Sequence, residues 1–239
     1  MLLQVENLVS GYGKVEVVRS LSIQADTGER IGLFGPNGHG KTTLLRTISG
    51  LIPTRSGDIR FMDESIKGLS PRHIVERGLI HVPQGNTMFT RMSVLENLQL
   101  GAYSKHAWDK RGESLEKVFS LFPRLRERMT QLARTLSGGE RQMLSIGVGL
   151  MGIPKLLILD EPSLGLAPKI KDELAASLAE IVRTGVTMLV VDQDIELLMG
   201  ICQQLYLIEK GQVSLETRDI SSVNREQILE MYFGKVAAK

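Results

Sequence analysis

The sequence predicts an α/β protein: a mainly parallel sheet, an antiparallel β subdomain at the N-terminus, and a helical insert over about residues 93–150. Three observations carry this reading. Short apolar runs at Ile31–Phe34, Leu79–Val82, Leu156–Leu159 and Thr187–Val191 have the length and unbroken apolarity of strands buried in a core. The first run enters a glycine-rich loop and then residues 43–49, apolar at helical spacing and stopped by Gly50. From Ser93 to about Leu125 the apolar residues again fall at helical spacing, first at Leu95, Leu98 and Leu100, then at Leu115, Val118, Phe119 and Phe122.

With 239 residues, 42% of them hydrophobic and 23% charged, the chain can bury a substantial core. A net charge of +2 leaves no electrostatic footprint for nucleic acid, so none is expected as a partner. Cys202 is the sole cysteine, which excludes an internal disulfide and suits a reducing compartment. Residues 1–7 alternate and carry an early acid, so they read as a strand and not as a signal peptide. The longest apolar run, Met143–Ile153, contains three glycines and is too short to span a bilayer. The expectation is a soluble protein, or one attached to a membrane only through a partner.

Residues 2–8 and roughly 17–24 read as strands joined by a turn over 10–14, with Tyr12 displayed at its tip. Thr27-Gly28-Glu29 turns the chain into the strand before the glycine loop. Pro53 to Gly57 reads as a turn and Asp58–Met62 as a strand. Ser70-Pro71 starts a helix, with serine as N-cap and proline in the first turn. Pro83-Gln84-Gly85 ends the strand at Leu79–Val82 and leaves a glutamine at its exit. Gly101 to Gly112 reads as a break between two helices of the insert. Helix follows again from Pro168 to about Thr184, then two strands around Gly211 and a final helix near 224–233. No linker separates a second unit, so one domain over 1–239 is expected.

Gly35-Pro36-Asn37-Gly38-His39-Gly40-Lys41-Thr42 fits the phosphate-binding pattern G-x-x-x-x-G-K-[ST], in the required setting of strand before and helix after. Glycines let backbone N–H groups turn toward a phosphate, and the helix that follows presents unpaired donors and a partial positive charge. Lys41 brings a full charge to the outer phosphates, Thr42 a hydroxyl for Mg²⁺, and Thr43 continues the loop into the helix. A bare glycine turn would not require Lys-Thr in that register. Leu156–Leu159 leads into Asp160 and Glu161; successive residues point to opposite sides, so one acid can face Mg²⁺ and the other a water at the γ-phosphate. Ser137 with Glu140 is a capping box, yet Gly138 and Gly139 in the first turn weaken a helix by about 1 kcal/mol each. Bare backbone there makes sense if an anion lies against it, although cap and phosphate then compete for the Ser137 hydroxyl. Several strands thus end in a polar group, namely Lys41 and Thr42, Gln84, Asp160 and Glu161, and Gln193. Ligands of open parallel sheets sit outside the carboxyl ends of the strands, so these groups converge on one phosphate site. His73, His81 and His106 are scattered and suggest no metal cluster.

Over nearly its full length the chain resembles the nucleotide-binding subunits of ATP-binding cassette (ABC) transporters, built on a P-loop NTPase core. Gly35–Thr43 matches Walker A, Leu156–Glu161 matches Walker B and Leu136–Gln142 matches the family signature. Gln84 falls at the Q-loop, Ser163–Leu166 at the D-loop, and Tyr12 at the aromatic that stacks on adenine. A narrower resemblance, to the ATPases of branched-chain amino acid importers, rests on Val82-Pro83-Gln84 with Phe89, Val94–Leu98, Ser163–Pro168 and a tail at 231–234. His39 departs from the small residue usual in the loop. Gln193 stands where most members carry a histidine, but importers of this subgroup often have glutamine there, so this departure supports the narrower resemblance.

The resemblance implies ATP and Mg²⁺ as cofactors, a second ABC ATPase subunit, integral membrane permease subunits, and a place on the cytoplasmic face of the inner membrane. It implies Glu161 as catalytic base with Gln84 and Gln193 beside it, and Thr42, Asp160 and Gln84 around the metal. Tyr12, the loop from Gly35 to Thr43 and, from the other subunit, Ser137, Gly138 and Gly139 would bind nucleotide. Importers of urea, amides or other solutes share these features. Two rival classes are an ABC ATPase outside transport and a regulatory module that binds nucleotide without turnover. An intact Glu161 argues against the latter.

Overall fold

Polar groups and apolar strands sort the chain into two sheets. In the computed structural model, residues 1–85, 88–218 and 220 are described. β1 (Leu3–Tyr12) and β2 (Val15–Ala25) form a hairpin, followed by β3 (Arg30–Phe34), α1 (Lys41–Ile48), β4 (Thr54–Phe61), β5 (Glu64–Ser65), α2 (Pro71–Glu76) and β6 (Leu79–Val82). The helical insert comprises α3 (Val94–Gly101), α4 (Lys105–Asp109), α5 (Arg111–Leu121), α6 (Pro123–Glu127) and α7 (Gly138–Met151). The chain then gives β7 (Leu156–Asp160), α8 (Pro168–Arg183), β8 (Thr187–Val191), α9 (Ile195–Ile201), β9 (Gln204–Glu209) and β10 (Gln212–Thr217).

The smaller sheet, in order β2-β1-β4-β5, is antiparallel. The larger, in order β10-β9-β3-β8-β7-β6, is parallel except for the β9–β10 pair. Strands β7 and β8 are buried along their whole length because both faces of the larger sheet are covered. Leu157, Leu159, Met188 and Val190 pack with the helical insert, α8 and α9; Leu156, Ile158, Leu189 and Val191 pack with α1 and the smaller sheet. Period-two alternation thus feeds two cores from one run of apolar residues. Among the described residues no helix is long and apolar enough to cross a membrane.

Several sequence expectations need correction. The turn expected over 10–14 is only Gly13-Lys14, because cross-strand pairing carries β1 through Tyr12 and restarts β2 at Val15. Thr54–Gly57 is strand, not turn: Ser10 and Val9 pair with Thr54 and Ser56, and bulges in β1 absorb the irregular register. The break between Gly101 and Gly112 holds α4, one short helix capped by Ser104, whose hydroxyl accepts the Ala107 N–H at 3.2 Å. α9 is a helix the sequence reading lacks, although Asp194 accepts the Leu197 N–H as its cap. Ser70 stands at the N-cap of α2, but its hydroxyl is paired with His73 Nδ1 instead of capping. The helix expected near 224–233 and the tail at 231–234 lie outside the described residues.

The β9–β10 turn locks the two sheets together. Gly211 has φ 82°, and its N–H donates to the His39 carbonyl at 3.0 Å while its own carbonyl accepts from Arg19 N–H at 2.8 Å. A Cβ at Gly211 would stand 1.9 Å from the Val17 carbonyl oxygen. Gly211→Ala therefore meets both a left-handed conformation and a backbone collision, each costing on the order of 1–3 kcal/mol. Urea unfolding should show a clearly lowered midpoint for this variant; an unchanged midpoint would mean that the turn does not press on β2.

Candidate functional site

Four adjacent parallel strands, in the order β3, β8, β7 and β6, end at one edge of the larger sheet. Past those ends stand Lys41 and Thr42, then Gln193, then Asp160 and Glu161, then Gln84. Adjacency of the strands is what gathers residues more than 150 positions apart. A cavity of about 470 Å³ is lined there by Asn37, Gly38, Gly40, Lys41, Thr42 and Thr43 from the loop, together with Gln84, Glu161 and Gln193. Leu164, from the stretch matched to the D-loop, and Val17, which the sequence reading did not single out, complete the lining. Ser137, Gly138 and Gly139 do not line it.

The loop is shaped by close backbone packing. Gly35 has φ 141°, and a Cβ there would lie 2.2 Å from the Ile208 carbonyl oxygen of β9. Lys41 is only 5% exposed, and its ammonium donates to the carbonyls of Gly35 at 2.7 Å and Pro36 at 3.0 Å. Burial lowers its pKa, against the pull of Glu161, Asp160 and Asp192. His39 does more than offer its backbone: Nδ1 accepts the Lys210 N–H at 3.2 Å, tying the loop to the β9–β10 turn. No sequence signal marks that bond, because it spans 171 positions.

Asp160 is 2% exposed. Thr42 donates its hydroxyl to Oδ1 at 3.3 Å, while Oδ2 is buried and without a hydrogen-bond partner. Burial pushes this carboxyl up to about 6, opposed by the Thr42 hydrogen bond and reinforced by the charge of Glu161. A buried orphan carboxylate oxygen beside a hydroxyl is the donor set a hard cation favours. Among the described residues no group of three or more His, Cys, Asp or Glu is placed to hold a metal by itself. A Mg²⁺ here would fit as one shared between Thr42, Asp160 and phosphate oxygens, since Mg²⁺ keeps few protein ligands.

Glu161 sits one residue past β7, at φ 49°, with its N–H donating to the Val191 carbonyl at 2.7 Å. Gln84 donates to Oε2 at 2.9 Å and Gln193 donates to Oε1 at 3.0 Å. Both glutamines thus line the cavity and hold Glu161 within it. Asp192, buried at the end of β8, accepts from the Ser163 N–H at 3.0 Å and hydroxyl at 2.8 Å, holding the loop after Glu161.

At α7, Ser137 accepts the Glu140 N–H at 3.3 Å and Glu140 accepts the Ser137 N–H at 2.8 Å, so the capping box is present. Burial works against the Glu140 charge, but hydrogen bonds from Ser137 and the neighbouring Arg128, at 2.8 Å, hold its carboxyl below the usual range. The Ser137 hydroxyl also hydrogen-bonds the Glu140 carboxylate, so the cap engages both its lone pair and its O–H, and a phosphate would compete for that O–H. Tyr12 is 47% exposed and accepts a hydrogen bond from Arg46 at 3.3 Å.

Glycine loop, buried lysine, acid-tipped strand and parallel sheet define a P-loop nucleoside triphosphatase. A family model described as ABC transporter matches residues 18–164. The chain belongs to the ABC transporter family, and it is an ATP-binding ATPase of that family. The high-affinity branched-chain amino acid transport ATP-binding protein BraG of Pseudomonas aeruginosa is 37% identical over 233 residues, 98% of this chain and 100% of that protein. The lipopolysaccharide export system ATP-binding protein LptB of Escherichia coli K12 is 29% identical, covering 98% of this chain and 97% of its own. A solved ATP-binding cassette of an ABC transporter in its ADP conformation is similar with TM-score 0.83 at 27% identity, covering 98% of each chain.

Because its folded pKa lies above the ordinary value near 3.8, Asp160 binds its proton more tightly in the folded chain. Its ionised form costs stability above about pH 6, and that cost fades as pH falls toward 4. Without nucleotide or metal, and with chelator present, Asp160→Asn should melt higher than wild type at pH 7.5, by about 1–3 kcal/mol of stability. The advantage should narrow by pH 5. A variant that melts lower at pH 7.5 would contradict the desolvated carboxylate described here.

Proposed function

We propose that this ATPase, one domain over residues 1–239, powers uptake of a small solute, a branched-chain or other hydrophobic amino acid. It would do so as the peripheral ATPase subunit of an importer, at the cytoplasmic face of the inner membrane. Its partners in this reading are a second ABC ATPase subunit, identical or related, and integral permease subunits. The observation that carries the catalytic part is the placement of Glu161 at the mouth of the phosphate site, held by a glutamine on each carboxylate oxygen. The 37% identity to BraG supports the solute class; the 29% identity to LptB supports a second reading, an ATPase of an exporter. Uptake of urea, amides or another solute is the alternative within the importer class.

In this reading the N–H groups of residues 35–43 and the Lys41 ammonium bind the phosphates of ATP, and Tyr12 stacks on the base. Thr42 and Asp160, with Gln84 nearby, hold Mg²⁺, which when bound would offset charge on the phosphate oxygens. Glu161 accepts a proton from the attacking water, and the two glutamines fix the carboxylate and present amide donors to the same space. Gln193 cannot take the proton itself, because a carboxamide does not titrate near neutral pH. Ser137, Gly138 and Gly139 lie off this cavity and would complete the site of the second subunit. There the O–H of Ser137 would turn from the Glu140 carboxylate to donate to a γ-phosphate oxygen.

Single-turnover hydrolysis tests the chemistry. Glu161→Gln keeps shape but removes the base, and should slow ATP cleavage by about 10²–10⁴. Gln193→Ala should slow it much less. In cells whose own copy is replaced, Glu161→Gln should abolish uptake of labelled leucine while Gln193→Ala keeps most of it. The assignment of roles fails if Gln193→Ala is the slower enzyme, and the importer reading fails if leucine uptake survives loss of turnover.

A further inference from the structure

A second cavity, also about 470 Å³, opens at the opposite edge of the larger sheet. Pro154 and Lys155 line it immediately before β7, and Gly185 and Val186 immediately before β8. The nucleotide cavity lies beyond the other ends of the same strands, and five strand residues separate the two by about 16 Å. It is therefore not part of the site already described. Its walls come from α5, the C-terminal ends of α7 and α8, and the turn after β4, where Met62 projects.

The chemistry of the walls is split. Val118, Leu121, Leu150, Ile153, Ile181 and Val186 supply an apolar floor. Lys110 and Lys117 lie on one face of the α5 region, and Lys155 comes from another wall; all three are exposed at the cavity. Among the described residues Glu113 is the only acid in the lining. Among the described residues none of the three lysines forms an ion pair, and Lys155 Nζ lies 3.1 Å from the Met62 thioether. Three cations against one anion, around a floor with few polar groups, match a ligand with an anionic head and an aliphatic tail. The volume is that of an ordinary small-molecule pocket. A nucleotide does not suit it, because no glycine-rich phosphate loop lines it and the first turn of α5, which does, carries the carboxylate of Glu113.

We propose that this cavity binds a small amphipathic carboxylate, its tail on the α5–α7–α8 floor and its head between Lys117 and Lys155. Such a ligand would touch the helical insert through α5 and the end of α7, and the sheet core through the end of α8 and the residues leading into β7 and β8. Ile170 of α8 packs against Gly139 at the start of α7, so both ends of these helices serve a site.

Sodium decanoate is the probe. Titrated into the full chain and read by calorimetry and by the fluorescence of Trp108, the sole tryptophan, it should bind saturably with one equivalent per chain. Saturating ADP should not displace it. Decanol, which lacks the charge, and acetate, which lacks the tail, should each bind at least tenfold more weakly. Lys117→Glu with Lys155→Glu should weaken decanoate at least tenfold, while Lys67→Glu, remote from the cavity, should not. Circular dichroism checks that the variants fold, and the decanol and acetate comparisons stand on the wild type alone. The proposal is overturned by an absence of saturable binding, by displacement with ADP, by equal binding of decanol, or by full affinity in the folded double charge reversal.

Discussion

A buried ammonium sets the terms on which the carboxyl edge of the sheet is assembled. Lys41 is held by the carbonyls of Gly35 and Pro36, and it faces the charges of Glu161, Asp160 and Asp192. Burial works against its charge, and three carboxylates work for it. Removing either side would leave buried charge uncompensated, which is costlier than never having built the pair. In the proposed reading, phosphate oxygens would offset the charge of the lysine, and a divalent cation would partner the orphaned oxygen of Asp160. Backbone packing holds these buried charges in place.

That packing is backbone against backbone. The phosphate loop touches β9 where Gly35 meets Ile208, and it touches the β9–β10 turn where the Gly211 N–H meets the His39 carbonyl. The His39 side chain adds a bond to Lys210 in the same place. On the other flank, Glu161 continues the β7–β8 ladder by one bond to Val191 before turning away. Catalytic geometry thus rests on the rigid ends of neighbouring strands, with Gln84 and Gln193 bonded to the carboxylate between them.

Much of this was legible in residue order. Strands β3, β6, β7 and β8 announce themselves as apolar runs because both faces of the sheet are covered, so no polar residue interrupts them. The polar residue after each run marks the functional edge. The capping box at Ser137 was equally plain, since its bonds join residues three apart. What escaped was set by tertiary contact. Thr54–Gly57 carries turn residues yet lies in a strand, because β1 offers it partners. α4 is too short to show a period. The His39–Lys210 bond and the contribution of Val17 to the cavity depend on how the small sheet and the β9–β10 turn close over the loop, and no local pattern encodes that closure.

The claim on which the rest depends is that Lys41 neutralises phosphate charge at this edge. Calorimetric titration of Mg-ATP into wild type and Lys41→Ala tests it most directly, with the thermal unfolding transition as the check on folding. Loss of a charge-assisted contact worth about 3 kcal/mol predicts an affinity lower by about 10²-fold in a protein that still unfolds cooperatively. A folded Lys41→Ala chain that binds Mg-ATP as tightly as the wild type would contradict the account.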